Sequence, residues 1–259
     1  CDDPTDVVIT PGPEEDSVLP DIVDMARRHG RRIYLHPTLH DIPLLSRMPL
    51  TAVAGIPLVE MADRERSGYG IIKRGMDLIF GLVALPVVLV VSIPVGIAIK
   101  GTSRGPVVYS QERMGKGGRK FRLYKFRSMV VDAEAATGPV WAQDNDARVT
   151  RVGRFLRRHR IDELPQVVNV LRGDMSLVGP RPERPALHAE FCGQLPLFER
   201  RLAVRPGLTS LSHIRGSYSS EPGDRLRYDL VYIGSMSFLA DVRILLGTIR
   251  IVLGGKGAL

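Results

Sequence analysis

The longest apolar stretch of the chain runs from Leu78 to Ile99, 22 residues without a charge. A helix of that length rises about 33 Å, enough to match the roughly 30 Å hydrocarbon core of a bilayer. Two prolines, Pro86 and Pro94, interrupt the run, and each removes a helical hydrogen bond and kinks the chain. Basic residues flank both ends: Lys73 and Arg74 before, Lys100 and Arg104 after. A straight span would have to place one basic flank outside, against the positive-inside preference. The pattern therefore favours a re-entrant membrane helix bent at Pro86 and Pro94, with both flanks on one face. A straight span is the alternative.

Ahead of this run, residues 1–66 read as a small α/β piece. Val7–Thr10 is a short β-branched run that fits a strand, Ser17–His29 carries apolar residues at helical spacing, and Arg32–Leu35 reads as a second strand. Strand, helix and strand together predict a partial, Rossmann-like α/β fragment in a scaffold or regulatory role. Residues 67–77 read as a linker and amphipathic lead-in. The chain does not open with Met or with a signal sequence, which predicts that it is part of a longer protein.

After the run, residues 100–259 read as a compact, mostly helical α+β catalytic domain. Two alternating segments around Gly115-Lys116-Gly117-Gly118 predict a β-hairpin. The glycines lack the phosphate-loop spacing, so a turn is the better reading. Arg148–His159 predicts a helix with an apolar face (Val152, Phe155, Leu156) and a basic one (Arg151, Arg154, Arg157, Arg158). Pro165, tolerated in a first helical turn, predicts a second helix from about Asp162 to Gly173, with Asp162 and Glu163 at its positive end.

Composition narrows the function. The chain has 259 residues, a formal charge of +8 and 44% hydrophobic residues, so it has enough apolar matter for a core. The basic excess calls for an anionic partner. Aromatic residues are only 6%, which argues against a base-stacking nucleic-acid binder. Two cysteines, Cys1 and Cys192, exclude a disulfide scaffold and a CxxC metal site. Arg181 stands between Pro180 and Pro182, and Arg205 precedes Pro206-Gly207. An arginine on a constrained backbone loses little entropy on gripping a phosphate, and its planar fork holds two oxygens.

From Lys73 to about Arg250 the chain resembles the bacterial sugar transferase family, monotopic polyprenyl-phosphate phosphoglycosyl transferases in their long form. The matching blocks are Lys73-Arg74-Gly75-Met76-Asp77, Gln111-Glu112-Arg113-Met114-Gly115, Lys125-Phe126-Arg127-Ser128-Met129, Ile161-Asp162-Glu163-Leu164-Pro165-Gln166, Asn169 through Pro182, and Val204-Arg205-Pro206-Gly207-Leu208-Thr209. Residues 1–66 resemble the end of the nucleotide-binding-like domain found upstream in long members. The resemblance implies transfer of a phosphosugar from a UDP-sugar to polyprenyl phosphate, with release of UMP, at the cytoplasmic face of a bacterial inner membrane. It implies Asp162 as the nucleophile, Glu163 beside it in catalysis, and Mg²⁺ held by this pair. It implies phosphate contacts from Arg157, Arg181 and Arg205, and from Lys125 and Arg127. An aspartate of ordinary pKa would be ionised at neutral pH and would need no base. The partners so implied are UDP-sugar, polyprenyl phosphate and membrane lipid, with no nucleic acid; homo-oligomerisation stays open.

The chain departs from the family pattern at two places. Either the bend of the apolar run is displaced or Ser92-Ile93-Pro94 serves in its place, and Ser217 stands where the family carries an arginine, with Arg215 as the candidate to compensate. The reading from another class is a membrane-tethered binder, whose arginines hold anionic lipid head groups. That reading assigns no task to Asp162-Glu163.

Overall fold

The computed structural model describes four short segments, residues 6–9, 32–35, 51–53 and 56–60, and then residues 68–131, 133, 146–215 and 222–254. The two predicted N-terminal strands are present as β1 (Asp6–Ile9) and β2 (Arg32–Leu35), paired in parallel with Val7 opposite Ile33. Parallel neighbours require a crossover between them; the helix expected there, 17–29, lies outside the described residues. β3 (Thr51–Val53) and β4 (Ile56–Glu60) add antiparallel strands in the order β1-β2-β4-β3. The result is a mixed sheet, and one parallel pair does not establish the Rossmann-like order that the sequence suggested.

The apolar run forms part of a single helix, α1 (Tyr69–Thr102), of 34 residues. It is longer than expected, because the 67–77 lead-in is already helical from Tyr69, and the helix continues through both Pro86 and Pro94. Within it Ser92 donates its hydroxyl to the Val88 carbonyl at 2.6 Å, a back-bond that tends to bend helices. One stripe (Met76, Gly81, Val88, Val95, Ile99) is buried, while Ile79, Phe80, Val83, Val87, Val90, Ile93 and Ile97 are exposed. By length and composition α1 is able to cross a membrane, although only 17% of its most apolar window is buried against protein.

Both ends of α1 are fastened to the same domain. Near its start Asp77 accepts from the Leu177 amide (2.9 Å) and the Ser176 hydroxyl (3.0 Å), and Lys73 pairs with Asp241. Arg74 donates to the Val170 and Leu171 carbonyls at 2.6 and 2.8 Å. Near its end Val91, Val95 and Ile99 pack on Phe126, Leu156 and Val152. Lys73 and Arg74 are thus not free flanking charges, as the positive-inside reading treats them, but anchors inside the helix.

The predicted hairpin forms from β5 (Val108–Met114) and β6 (Lys120–Phe126), in register from Val108 opposite Phe126 to Met114 opposite Lys120. Gly117 and Gly118 turn it at φ of 65° and 76°, values that favour glycine. Two helix boundaries differ from expectation. α2 covers Arg151–Arg158 rather than starting at Arg148, because the Thr150 hydroxyl caps it by accepting from the Gly153 amide at 2.9 Å. The expected Asp162–Gly173 helix is a 3₁₀ turn, Ile161–Gln166, followed by α3, Val167–Arg172. Arg160, at φ 54°, swings the chain out of α2 and into that tighter turn.

β7 (Ser176–Val178) and β8 (Gly207–Thr209) pair in parallel. The strands approach so closely that a Cβ on Gly207 would lie 2.1 Å from the Gly179 amide nitrogen. That approach sets the Pro180-Arg181-Pro182 corner beside Val204-Arg205-Pro206. α4 (Pro185–Gln194), a 3₁₀ turn over Pro196–Ala203, α5 (Leu211–Arg215), α6 (Pro222–Gly234) and α7 (Phe238–Leu253) complete the described residues. Leu123, Val170, Met175, Val178, Val204, Tyr232 and Ile244 form the main core. The Tyr232 hydroxyl donates to the Asp241 carboxylate at 2.7 Å, which ties α6 to α7 at the point where Lys73 arrives.

Candidate active site

The 3₁₀ turn packs Asp162 and Glu163 against β6 and α2, and the Pro180–Pro182 corner reaches Glu163 through Arg181. Each residue is 7% exposed. Buried carboxylates cost free energy unless compensated, and the two are compensated differently. Glu163 is held on both oxygens. Lys125 Nζ on β6 reaches Oε1 at 2.9 Å, Arg181 Nη2 reaches the same oxygen at 3.2 Å, and Arg160 Nη1 reaches Oε2 at 3.3 Å. The Asp162 carboxylate accepts no hydrogen bond among the described residues, although Lys125, Arg157 and Arg181 lie close enough to act on its charge.

This asymmetry separates the two acids electrostatically. Burial pushes the Asp162 pKa up from its ordinary 3.8, and the negative charge of Glu163 adds to the push, against the pull of Lys125, Arg157 and Arg181. Burial also works against ionisation of Glu163, but Lys125, Arg181 and Arg160 outweigh it and hold the group well below the ordinary 4.5. The expectation of an ordinary aspartate is therefore corrected: Asp162 is the more basic, untethered carboxylate and Glu163 the ionised, clamped one. Divergent environments for two neighbouring acids are a mark of divided roles.

The predicted phosphate-binding residues fall into two groups. Lys125, Arg157 and Arg181 stand around the carboxylates. Arg157 Nε donates to the Ser128 hydroxyl at 2.9 Å, which holds its head over the turn. Arg205 and Arg127 are directed elsewhere. Arg205 Nε donates to the Gly173 carbonyl at 3.1 Å. Arg127, only 7% exposed, donates to the carbonyl and hydroxyl of Ser103, both at 2.8 Å, and so ties β6 to the end of α1. Sequence reasoning passed over Arg160, although it adjoins Ile161-Asp162, and His213, whose ring nitrogen lies 3.1 Å from Arg181 Nη1. It also passed over Arg201, whose Nη2 donates to the Arg181 carbonyl at 2.9 Å while its Nε binds Asp229 at 2.7 Å. Ser217 lies outside the described residues.

Four cations (Lys125, Arg157, Arg160, Arg181) surround two carboxylates, so the cluster carries surplus positive charge and suits phosphate groups. Among the described residues no cluster of three or more His, Cys, Asp or Glu is placed to hold a metal. Mg²⁺ usually takes only one or two carboxylates from protein and completes its shell with phosphate oxygens and water, and Asp162 with Glu163 fit that pattern. Glu163 Oε2, which is shown to accept from Arg160 alone, keeps a lone pair for such a contact.

Comparison with known proteins identifies the family. The sequence model of the family described as "Bacterial sugar transferase" matches residues 68–255. The UDP-N-acetylgalactosamine-undecaprenyl-phosphate N-acetylgalactosaminephosphotransferase of Aeromonas hydrophila is 44% identical over 193 residues, 73% of this chain and 45% of the relative. The UDP-glucose:undecaprenyl-phosphate glucose-1-phosphate transferase of Xanthomonas campestris pv. campestris is 35% identical over 239 residues, 89% of this chain and 49% of the relative. The exopolysaccharide production protein PSS of Rhizobium leguminosarum bv. phaseoli is 38% identical over 187 residues, 69% of this chain and 94% of the relative. The chain spans about half the length of the first two. With the match covering α1 and everything that builds the cluster, the chain belongs to the bacterial sugar transferase family.

Proposed function

We propose that the chain transfers a sugar 1-phosphate from a UDP-sugar to undecaprenyl phosphate, at the cytoplasmic face of the bacterial inner membrane, as a first membrane step of polysaccharide assembly. The observation that carries this reading is the pair of unlike carboxylates: Asp162, with no hydrogen bond to its carboxylate among the described residues, and Glu163, clamped by Lys125, Arg160 and Arg181. The relatives' names specify undecaprenyl-phosphate phosphotransferases for N-acetylgalactosamine and glucose, which supports this reaction class.

In the first step an Asp162 carboxylate oxygen attacks the phosphorus that bears the sugar. The bond from that phosphorus to the bridging oxygen breaks, and UMP leaves with the oxygen and its electron pair. A phosphosugar remains on the aspartyl oxygen. In the second step an oxygen of the polyprenyl phosphate attacks the same phosphorus, the aspartyl oxygen leaves as carboxylate, and the diphosphate-linked product forms. Every reactant is anionic. Lys125, Arg157 and Arg181 offset that charge where it gathers in the transition state, and Glu163 keeps Lys125 and Arg181 from closing onto Asp162. Mg²⁺, held by Asp162 and Glu163, supplies further neutralisation of phosphate charge when bound.

α1 brings the cluster to the lipid. Its two ends, about 39 Å apart along a helix from Lys73 to Ile99, both hold the catalytic domain, and its outer side is apolar throughout. A straight span would carry that domain into hydrocarbon. The contacts therefore support entry and exit on one face, with the bend at Pro86 and Pro94. A passive binder of anionic lipid would gain nothing from burying two carboxylates among its own cations.

The test is UMP release from a panel of UDP-sugars by nanodisc-held protein, with undecaprenyl phosphate and Mg²⁺. Asp162→Asn keeps the shape and removes the nucleophile, and turnover is expected to fall by at least a thousandfold with the melting temperature retained. Near-wild-type turnover by Asp162→Asn would reject the covalent route.

A further inference from the structure

We propose that His213 is a positioning residue for the transfer reaction: it holds the Arg181 guanidinium in the plane that faces the donor diphosphate. The inference rests on the reading of Arg181 as a phosphate-binding residue.

Arg181 Nη1 lies 3.1 Å from His213 Nε2, and Nη2 of the same guanidinium lies 3.2 Å from Glu163 Oε1. An arginine has donors only, so Nε2 must be the acceptor, and the ring proton sits on Nδ1. Burial, with Arg181 and Arg160 beside the ring, keeps the His213 pKa well below 6.5, so the imidazole is neutral and keeps that lone pair. A guanidinium held at both terminal nitrogens cannot rotate about its last bonds. Its plane is set by one carboxylate and one imidazole that are 50 residues apart in sequence.

The ring of contacts closes on itself. The His213 amide donates to the Ser210 hydroxyl at 3.1 Å, and Ser210 and Ser212 share a hydroxyl contact at 2.8 Å. Ser212 reaches Asp229 Oδ1 at 3.5 Å, and Arg201 binds Asp229 Oδ2 at 2.7 Å. Arg201 then donates to the Arg181 carbonyl at 2.9 Å. One circuit thus grips both the backbone and the side chain of Arg181, and most of it is buried: Ser210, Ser212, Arg201 and Asp229 are each 5% exposed or less. A purely structural role would need only the Arg201–Asp229 half. The His213 half ends on one guanidinium nitrogen of Arg181, whose other terminal nitrogen meets Glu163.

The experiment is a double-mutant cycle on kcat and KM, using the UDP-sugar of highest turnover with undecaprenyl phosphate. His213→Ala is expected to lower kcat/KM about tenfold, equivalent to about 1.4 kcal/mol, with most of the loss in kcat. His213→Gln, whose side-chain oxygen is able to accept from Arg181, is expected to recover to within threefold of wild type. In an Arg181→Ala background, His213→Ala should cost less than a further twofold, because the group it orients is gone. If His213→Ala does not fold, His213→Leu against His213→Gln makes the same comparison of acceptor and non-acceptor, with unfolding temperatures as the control. Multiplicative losses in the double variant, or equal activity of the Leu and Gln variants, would overturn the role of His213 and leave that of Arg181 standing. Wild-type kinetics for Arg181→Ala alone would overturn both.

Discussion

Gly153→Ala separates local helix preference from the geometry that places the site. Gly153 lies in α2, and in an exposed helix the change to alanine would stabilise by about 1 kcal/mol. Here the added Cβ would lie 1.9 Å from the Ser128 carbonyl oxygen and 2.6 Å from its carbonyl carbon, both backbone atoms. An ordinary contact begins near 3.4 Å, so α2 must retreat by about 1.5 Å or the 128–130 segment must give. The segment is pinned, since the Thr150 amide donates to the same Ser128 oxygen at 3.0 Å and the Val130 amide donates to the Arg148 carbonyl at 2.9 Å. Overpacking of this kind costs about 1–3 kcal/mol, which leaves a net destabilisation of up to about 2 kcal/mol after the helix gain. The functional cost should be larger. Arg157 hangs from Ser128 through its 2.9 Å hydrogen bond, and a displacement of about 1 Å at a reacting centre can cost about a hundredfold. UMP release and thermal unfolding of detergent-held protein measure both effects. The expectation is a kcat/KM reduced at least tenfold with a melting temperature lowered by a few degrees. A Gly153→Ala protein that is more stable than wild type and fully active would refute the close approach of α2 to Ser128.

Two further outcomes are expected. Single cysteines near Gly70 and near Gly105, in a Cys1→Ser, Cys192→Ser background, should be labelled from the same side of the membrane in cells; labelling from opposite sides would make α1 a straight span. Stability should fall as pH drops below about 6.5, because burial and the charge of Arg201 depress the His188 pKa, so the unfolded chain takes up protons that the folded one refuses. Each such group contributes at most about 1.4 kcal/mol per pH unit, and His188→Gln should flatten the acid slope of the melting temperature between pH 6.5 and 5. An unchanged slope would remove His188 as a source.

The legible parts of the chain were those decided by short-range pattern. Alternation around Gly117-Gly118 is enough to make a hairpin, and the hairpin forms where that alternation lies. The 22-residue apolar run was bound to be a long helix, since nothing else satisfies its backbone in an apolar setting. Helix ends were less legible, because they depend on single hydrogen bonds: the Thr150 cap moved the start of α2 by three residues, and the left-handed Arg160 turned an expected α-helix into a 3₁₀ turn.

The candidate site divides the same way. Asp162 and Glu163 beside Arg157 were legible as a local arrangement, whereas Lys125 and Arg181 were named through the family resemblance, since they lie 38 and 18 residues from Glu163. Which acid is clamped and which is open was settled only where β6, the Pro180–Pro182 corner and Arg160 converge, since a pKa depends on burial and on charges brought from 38 and 18 residues away. Arg205, which like Arg181 stands beside a proline, donates through Nε to the Gly173 carbonyl, and Arg127 donates to Ser103, contacts that the local sequence did not foretell. By itself the sequence determined the elements, the basic surplus and the acid pair, all properties of neighbouring residues. The tertiary structure alone decided the cations that reach Glu163, the imidazole that reaches Arg181 and the anchoring of Lys73 and Arg74, because each joins atoms whose separation along the chain carries no information about their distance in space.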